Sequence, residues 1–223
     1  LAFVLRQGKR FEGGKTYWTI AYLKWLKTLE LSDLQRETLN EYLMTYEYLT
    51  EKISRFDERI EELASVERYE EKVKHMSCLL GIKTHTALSM IVEVGDFERF
   101  EKAPKFASFL GLVPSEDSSD TRVNRYSISK AGNSHLRRLL VEAAQSYTRG
   151  NVGHKSVALK QRQKGNPPEV IAYADKANTR LRSRYYKLIR HGKARNVAVA
   201  AIARELACFV WGMMTENISM KTV

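Results

Sequence analysis

LNEYLMTYEYLTEKISRFDERIEEL, residues 39–63, decides the fold class. Its apolar positions are Leu39, Tyr42, Tyr46, Leu49, Ile53, Phe56, Ile60 and Leu63, separated by alternating steps of three and four. Such spacing puts one narrow apolar stripe along a helix, the a/d seam of a coiled coil, with Glu and Arg over much of the remaining surface. Ser32 and Asp33 supply the start signal, and Gln35 suits the first turn. A stripe of this kind needs a second helix, from the same chain or from a second subunit, and both remain open.

Outward from this helix, almost no segment alternates apolar and polar residues as a half-buried strand does, so the expected class is all-α. Residues 1–30 form a basic aromatic connector, in which Tyr17, Trp18, Tyr22, Trp25, Leu26 and Leu29 read as one face of a short helix. Aromatics at that spacing serve as core or as base-stacking platforms. Residues 31–72 are the coiled-coil helix, and residues 73–223 a helical domain. At 73–114 a glycine-containing turn, Leu79-Leu80-Gly81-Ile82-Lys83-Thr84, joins two short helices. This reads as a helix-hairpin-helix. Either the backbone N–H groups opening its second helix, beside Lys83 and Thr84, hold a phosphate, or the hairpin is packed and binds nothing. His85 has no partner at metal-ligand spacing.

Residues 115–127 read as a polar loop. A helix follows from Asn133 or Ser134, a second from Pro168 towards Ile189, and a mostly apolar core helix over Arg195–Met214. Lys130 and Asn133 lead into the first of these and Arg137 and Arg138 lie on its first turns, a modest phosphate-site signal. Arg180, Arg184 and Lys187 share one face of the second.

The chain carries +11 at pH 7, with a pI near 9.6. Between Thr121 and Glu205 nineteen Lys and Arg face four acids, Glu142, Glu169, Asp175 and Glu205. That segment is +15 and the rest of the chain −4. Charge gathered in this way is the footprint of a polyanionic partner, nucleic acid above all. Cys78 and Cys208 are far apart in apolar contexts, which favours buried thiols over a disulfide or a metal site. No run of about 18 uncharged apolar residues occurs, so no membrane partner is expected. No secretory signal is present either, which gives a cytoplasmic, nucleoid-associated expectation.

Several motifs, in order, carry a resemblance. They are residues 80–87, then Glu93-Val94-Gly95-Asp96-Phe97 with Phe100, then Phe109-Leu110-Gly111-Leu112-Val113-Pro114-Ser115-Glu116 and the pair Ser118-Ser119. Ile128-Ser129-Lys130-Ala131-Gly132-Asn133-Ser134-His135-Leu136-Arg137-Arg138 follows, with weaker likeness at 165–170 and 196–206. Together they resemble transposases of the insertion sequence 110 family, in its 1111-like branch, related to the Piv invertase. The resemblance implies a bacterial DNA transposase or recombinase guided by RNA and built as a RuvC-like metal-binding domain, a coiled coil and a helical transposase domain. It starts here after the RuvC-like part, so the Mg2+-binding half is expected outside this chain, which begins at Leu1. It further implies a serine nucleophile, Ser118 or Ser119, that forms a phosphoserine link to DNA. Arg122, Arg125, Lys130, Arg137 and Arg138 would stabilise or position the phosphate. The family's glycine after the hydroxyl pair is Asp120 here, and a carboxylate repels phosphate. An alternative reading is therefore a non-catalytic DNA-binding remnant or regulator. DNA, a guide RNA and a second copy joined through the heptad helix are the expected partners.

Overall fold

The computed structural model describes residues 1–14, 17–119 and 122–218, with the side chains of 116–126 outside that description. Among the described residues there are ten α-helices: α1 (Ala2–Arg6), α2 (Ile20–Thr28), α3 (Asp33–Ala64), α4 (Glu67–Ser77), α5 (Thr84–Val94), α6 (Ala103–Phe109), α7 (Ser134–Ala144), α8 (Val157–Gln163), α9 (Pro168–Arg190) and α10 (Arg195–Met214). The only sheet among them is one antiparallel hairpin, β1 (Pro114–Ser119) with β2 (Arg122–Ile128). The class is all-α. The stretch read as a polar loop is the hairpin, with a register irregularity between Pro114 and Glu116.

The helices begin and end where local chemistry allows. The Gln35 side-chain carbonyl accepts from the Ser32 N–H at 3.1 Å, half of a capping box at the head of α3. Asn133 caps α7 by accepting from the Leu136 N–H at 2.9 Å. Pro168 opens α9, where its missing N–H costs nothing. Gly192, at φ +73°, follows its C-terminus.

Contacts divide the chain into two units, Leu1–Asp57 and Glu58–Val223, and the division falls inside α3. In the first unit Val4, Tyr22, Leu26, Leu29, Leu39 and Leu43 form the core. Phe11 meets Tyr22 edge-on at 5.2 Å, and Trp18 stacks on Tyr46 at 4.9 Å. Of the two roles open to the connector aromatics, Tyr22 takes the core one beside Leu26, whereas Trp18 is 47% exposed. Along the heptad stripe Leu39 is buried, but Tyr42, Leu49, Ile53 and Phe56 stand half-exposed or more.

In the second unit α10 is the central element and packs on α4, α6, α7 and α9. Ala198, Ile202, Ala203, Leu206, Ala207 and Val210 are buried along it. This helix is long and apolar enough by composition to cross a membrane. Its burial is that of a core helix: Trp211 Nε1 donates to the Phe97 and Phe100 carbonyls at 3.2 and 3.1 Å, tying it to the loop before α6.

Candidate nucleic-acid interface

The hairpin stands on two feet, and each foot is a glycine-bearing motif. One runs Phe109 to Pro114, the other Ile128 to Asn133. Main-chain bonds join them: Ser129 N–H to Val113 O at 2.8 Å, Lys130 N–H to Gly111 O at 3.2 Å and Asn133 N–H to Phe109 O at 3.1 Å. Gly111 has φ +65° and Gly132 φ +101°. A β-carbon on Gly111 would lie 2.1 Å from Ala131 O, and one on Gly132 would lie 2.1 Å from Phe109 O. Each glycine thus makes room for the other foot's carbonyl while adopting a left-handed backbone. Arg137 finishes the clamp by donating from its guanidinium to Leu110 O at 3.0 Å.

Above the clamp, Ser118 pairs in backbone register with Val123, and Ser119 with Arg122. The side chains of Ser118, Ser119, Arg122 and Arg125 lie outside the described ones, and Asp120 lies outside the described residues altogether. Lys130 is exposed and has φ +56°, an uncommon conformation for a residue with a side chain. At the start of α7, Asn133 Nδ2 donates to Glu93 Oε2 at 2.9 Å, and His135 Nδ1 pairs with the other oxygen of Glu93. A carboxylate from α5 therefore sits where the sequence pattern suggested phosphate donors. Arg138 is exposed, 3.9 Å from Glu142 one turn along α7.

Farther from the clamp, Lys83 is exposed and Thr84 half-buried at the head of α5. Among the described residues no side-chain hydrogen bond or ion pair links either to the hairpin feet. Gly81, at φ +86°, presses on α7, since a β-carbon there would lie 2.3 Å from Ala143 O. That contact packs the turn against α7 on the Gly81 side and leaves both readings of the head of α5 open.

On α9 the cations separate into two sets. Arg182 is 5% exposed and donates to Asn151 O and His154 O at 2.6 and 2.9 Å, helped by Asn178 Nδ2 on His154 O at 3.2 Å. It pins the loop between the turn after α7 and α8. Arg180 and Arg184 are half-exposed, and both meet Glu205 of α10. Arg184 Nε lies 3.0 Å from Glu205 Oε2 but off the hydrogen-bonding direction, so that oxygen keeps no hydrogen bond. Lys187, one turn along, is exposed. Glu205 and Glu93 are the residues that sequence reasoning missed. A lone acid inside the apolar run of α10 was the available signal for Glu205, because a half-buried carboxylate calls for a cation. Glu93 gave none.

Among the described residues, no three His, Cys, Asp or Glu converge where they could hold an ion. Burial pushes the Cys78 thiol up from 9.0 to about 11, and raises Cys208 as well. Both stay protonated at neutral pH, and a protonated thiol is neither a ligand nor a nucleophile.

The second unit is thus a helical bundle that carries a clamped hairpin between two glycine motifs. Residues 74–157, from α4 through both feet to the head of α8, match the family described as Transposase IS116/IS110/IS902 family. The chain belongs to that transposase family. Over 217 residues it is 34% identical to y4qE, a protein of Sinorhizobium fredii that bears a transposase name, covering 96% of this chain and 51% of that one. It is 29% identical over 191 residues to the transposase for insertion sequence element IS1533 of Leptospira borgpetersenii, covering 84% and 54%. To the transposase for IS1111A of Coxiella burnetii it is 30% identical over 157 residues, covering 70% and 36%. The chain thus spans about half the length of the first two of these relatives.

Proposed function

We propose that this chain is the DNA-binding part of an insertion-sequence transposase that cleaves and rejoins strands through a serine nucleophile. The observation that carries the reading is the clamp: it anchors the foot of the strand bearing Ser118 and Ser119 directly before the segment 121–205, whose charge is +15. In the reaction a serine Oγ forms a bond to phosphorus, the bridging P–O bond of the DNA breaks, and the departing oxygen leaves as a hydroxyl after taking a proton. The number of phosphate esters is unchanged, so a strand-end hydroxyl can reverse the step without ATP. Arg122, Arg125 and Lys130 lie on the hairpin or its foot, where they would stabilise the charge that grows on phosphorus.

In this reading the Mg2+-binding RuvC-like half lies outside these 223 residues. Two copies associate through the α3 stripe, a guide RNA accompanies the DNA, and the work is done at the bacterial nucleoid. The complete protein, incubated with nicked substrate DNA, should yield a covalent protein–DNA adduct that survives denaturation. Either Ser118→Ala or Ser119→Ala should abolish it. An adduct that persists in the double variant overturns the serine assignment. Asp120, standing where the family's glycine does, favours a second reading, a non-catalytic DNA-binding regulator. Salt-sensitive DNA binding by the complete protein with no strand breakage would select it.

A further inference from the structure

Beside the hairpin feet, the second unit holds a cavity of about 380 Å3. One wall is made by Pro114 and Ile128 of the hairpin, and the other by Val197, Ala200 and Ala201 of α10. The space exists because the residues of α10 here are small. Ala200 and Ala201 are half-exposed, and Val197 is 58% exposed on the outer side of a helix whose inner side is buried. Two polar groups, the Ser127 hydroxyl and the Asn196 amide, belong to the lining, and so do Arg184 and Arg204. Among the described residues no carboxylate lines it, although Glu205 pairs with Arg184.

Apolar walls with one amide and one hydroxyl match a flat heterocycle with hydrogen-bonding edges. Two guanidinium groups beside them match the phosphate that travels with it. An apolar side chain from a protein partner would use the walls and make no use of Arg204. A base stacked within a duplex uses both faces and cannot enter. The occupant that uses every element of the lining is a single unstacked nucleotide. The hairpin that forms one wall also carries Ser118 and Ser119, four and five residues along β1 from Pro114, so such a nucleotide would lie on the same DNA strand as the phosphate proposed to react.

We propose that this cavity receives one unstacked deoxynucleotide of the DNA strand being processed, an inference that rests on the DNA-handling function proposed for the chain. The 223-residue chain, irradiated with single-stranded DNA containing 5-iodouracil, should crosslink through residues 127–128 or 196–204, and a fully paired duplex should not. The double variant Ala200→Leu with Ala201→Leu fills the cavity. It should lose these crosslinks and bind single strands about tenfold more weakly, the order expected for losing one base contact. Its affinity for duplex should hold at the wild-type value. Arg204→Ala leaves the cavity open, so it should keep the crosslinks while weakening single-strand binding. Crosslinks and affinity unchanged in the filled variant would overturn the inference, as would crosslinking to duplex, or to RNA alone. Duplex binding that persists without any crosslink sinks this inference and spares the functional reading. Failure to bind DNA at low salt sinks both.

Discussion

Gly111 and Gly132 set the hairpin's base by what they lack. A methyl group at either would lie 2.1 Å from a main-chain oxygen, and neither backbone suits a residue with a side chain. Gly111→Ala should therefore lower the unfolding free energy by more than about 2 kcal/mol, through strain and displaced clamp bonds together. Gly192 also has a positive φ but open space around it, so Gly192→Ala should cost only about 1 kcal/mol. Urea denaturation of the two variants reads the difference, and equal losses would mean that the close approach contributes nothing. The glycines themselves were legible in the sequence as motifs. Their mutual contact was not, because it joins residues 21 positions apart through backbone atoms that carry no sequence signal. For Arg182 the same limit holds in reverse: nothing in the sequence sets it apart from the other cations of its segment, and only the fold shows it turned inward to loop carbonyls.

At the scale of elements, what could be read depended on whether side chains or main chain did the organising. α7 is legible because apolar residues recur on one face, α9 because Pro168 opens it and Gly192 follows it, and α10 because it is mostly apolar. The hairpin was not visible, since PSEDSS and RVNRYSI show almost no apolar alternation. Its register comes from backbone pairing and from the feet below it. On α9, the cations that looked like a free track were Arg180, Arg184 and Lys187, and two of them meet Glu205. Glu205→Gln keeps the shape and removes the negative charge. It should tighten DNA binding severalfold at low salt and steepen the fall of affinity with salt, because more cations then displace counterions. Fluorescence anisotropy across a salt series tests this, and an unchanged slope would show that the α9 cations do not face the DNA.

For the whole molecule, the clearest unmet demand is the stripe of α3. Tyr42, Leu49, Ile53 and Phe56 are 49–59% exposed, which is costly for four large apolar side chains in water. Ile53→Glu with Phe56→Glu should shift the chain to monomers in analytical ultracentrifugation while leaving its helical content intact. A wild-type chain that is already monomeric at micromolar concentration would refute pairing through this stripe. The heptad period announces this helix and the uneven charge points to a polyanionic partner, yet neither says what meets them, because the partner's atoms are not in this sequence. The clamp has one more consequence, for heredity. Since the feet hold by main-chain bonds and two missing β-carbons, the clamp bonds ask nothing of the side chains along β1 and β2. Substitutions there can change chemistry while the scaffold is inherited unchanged.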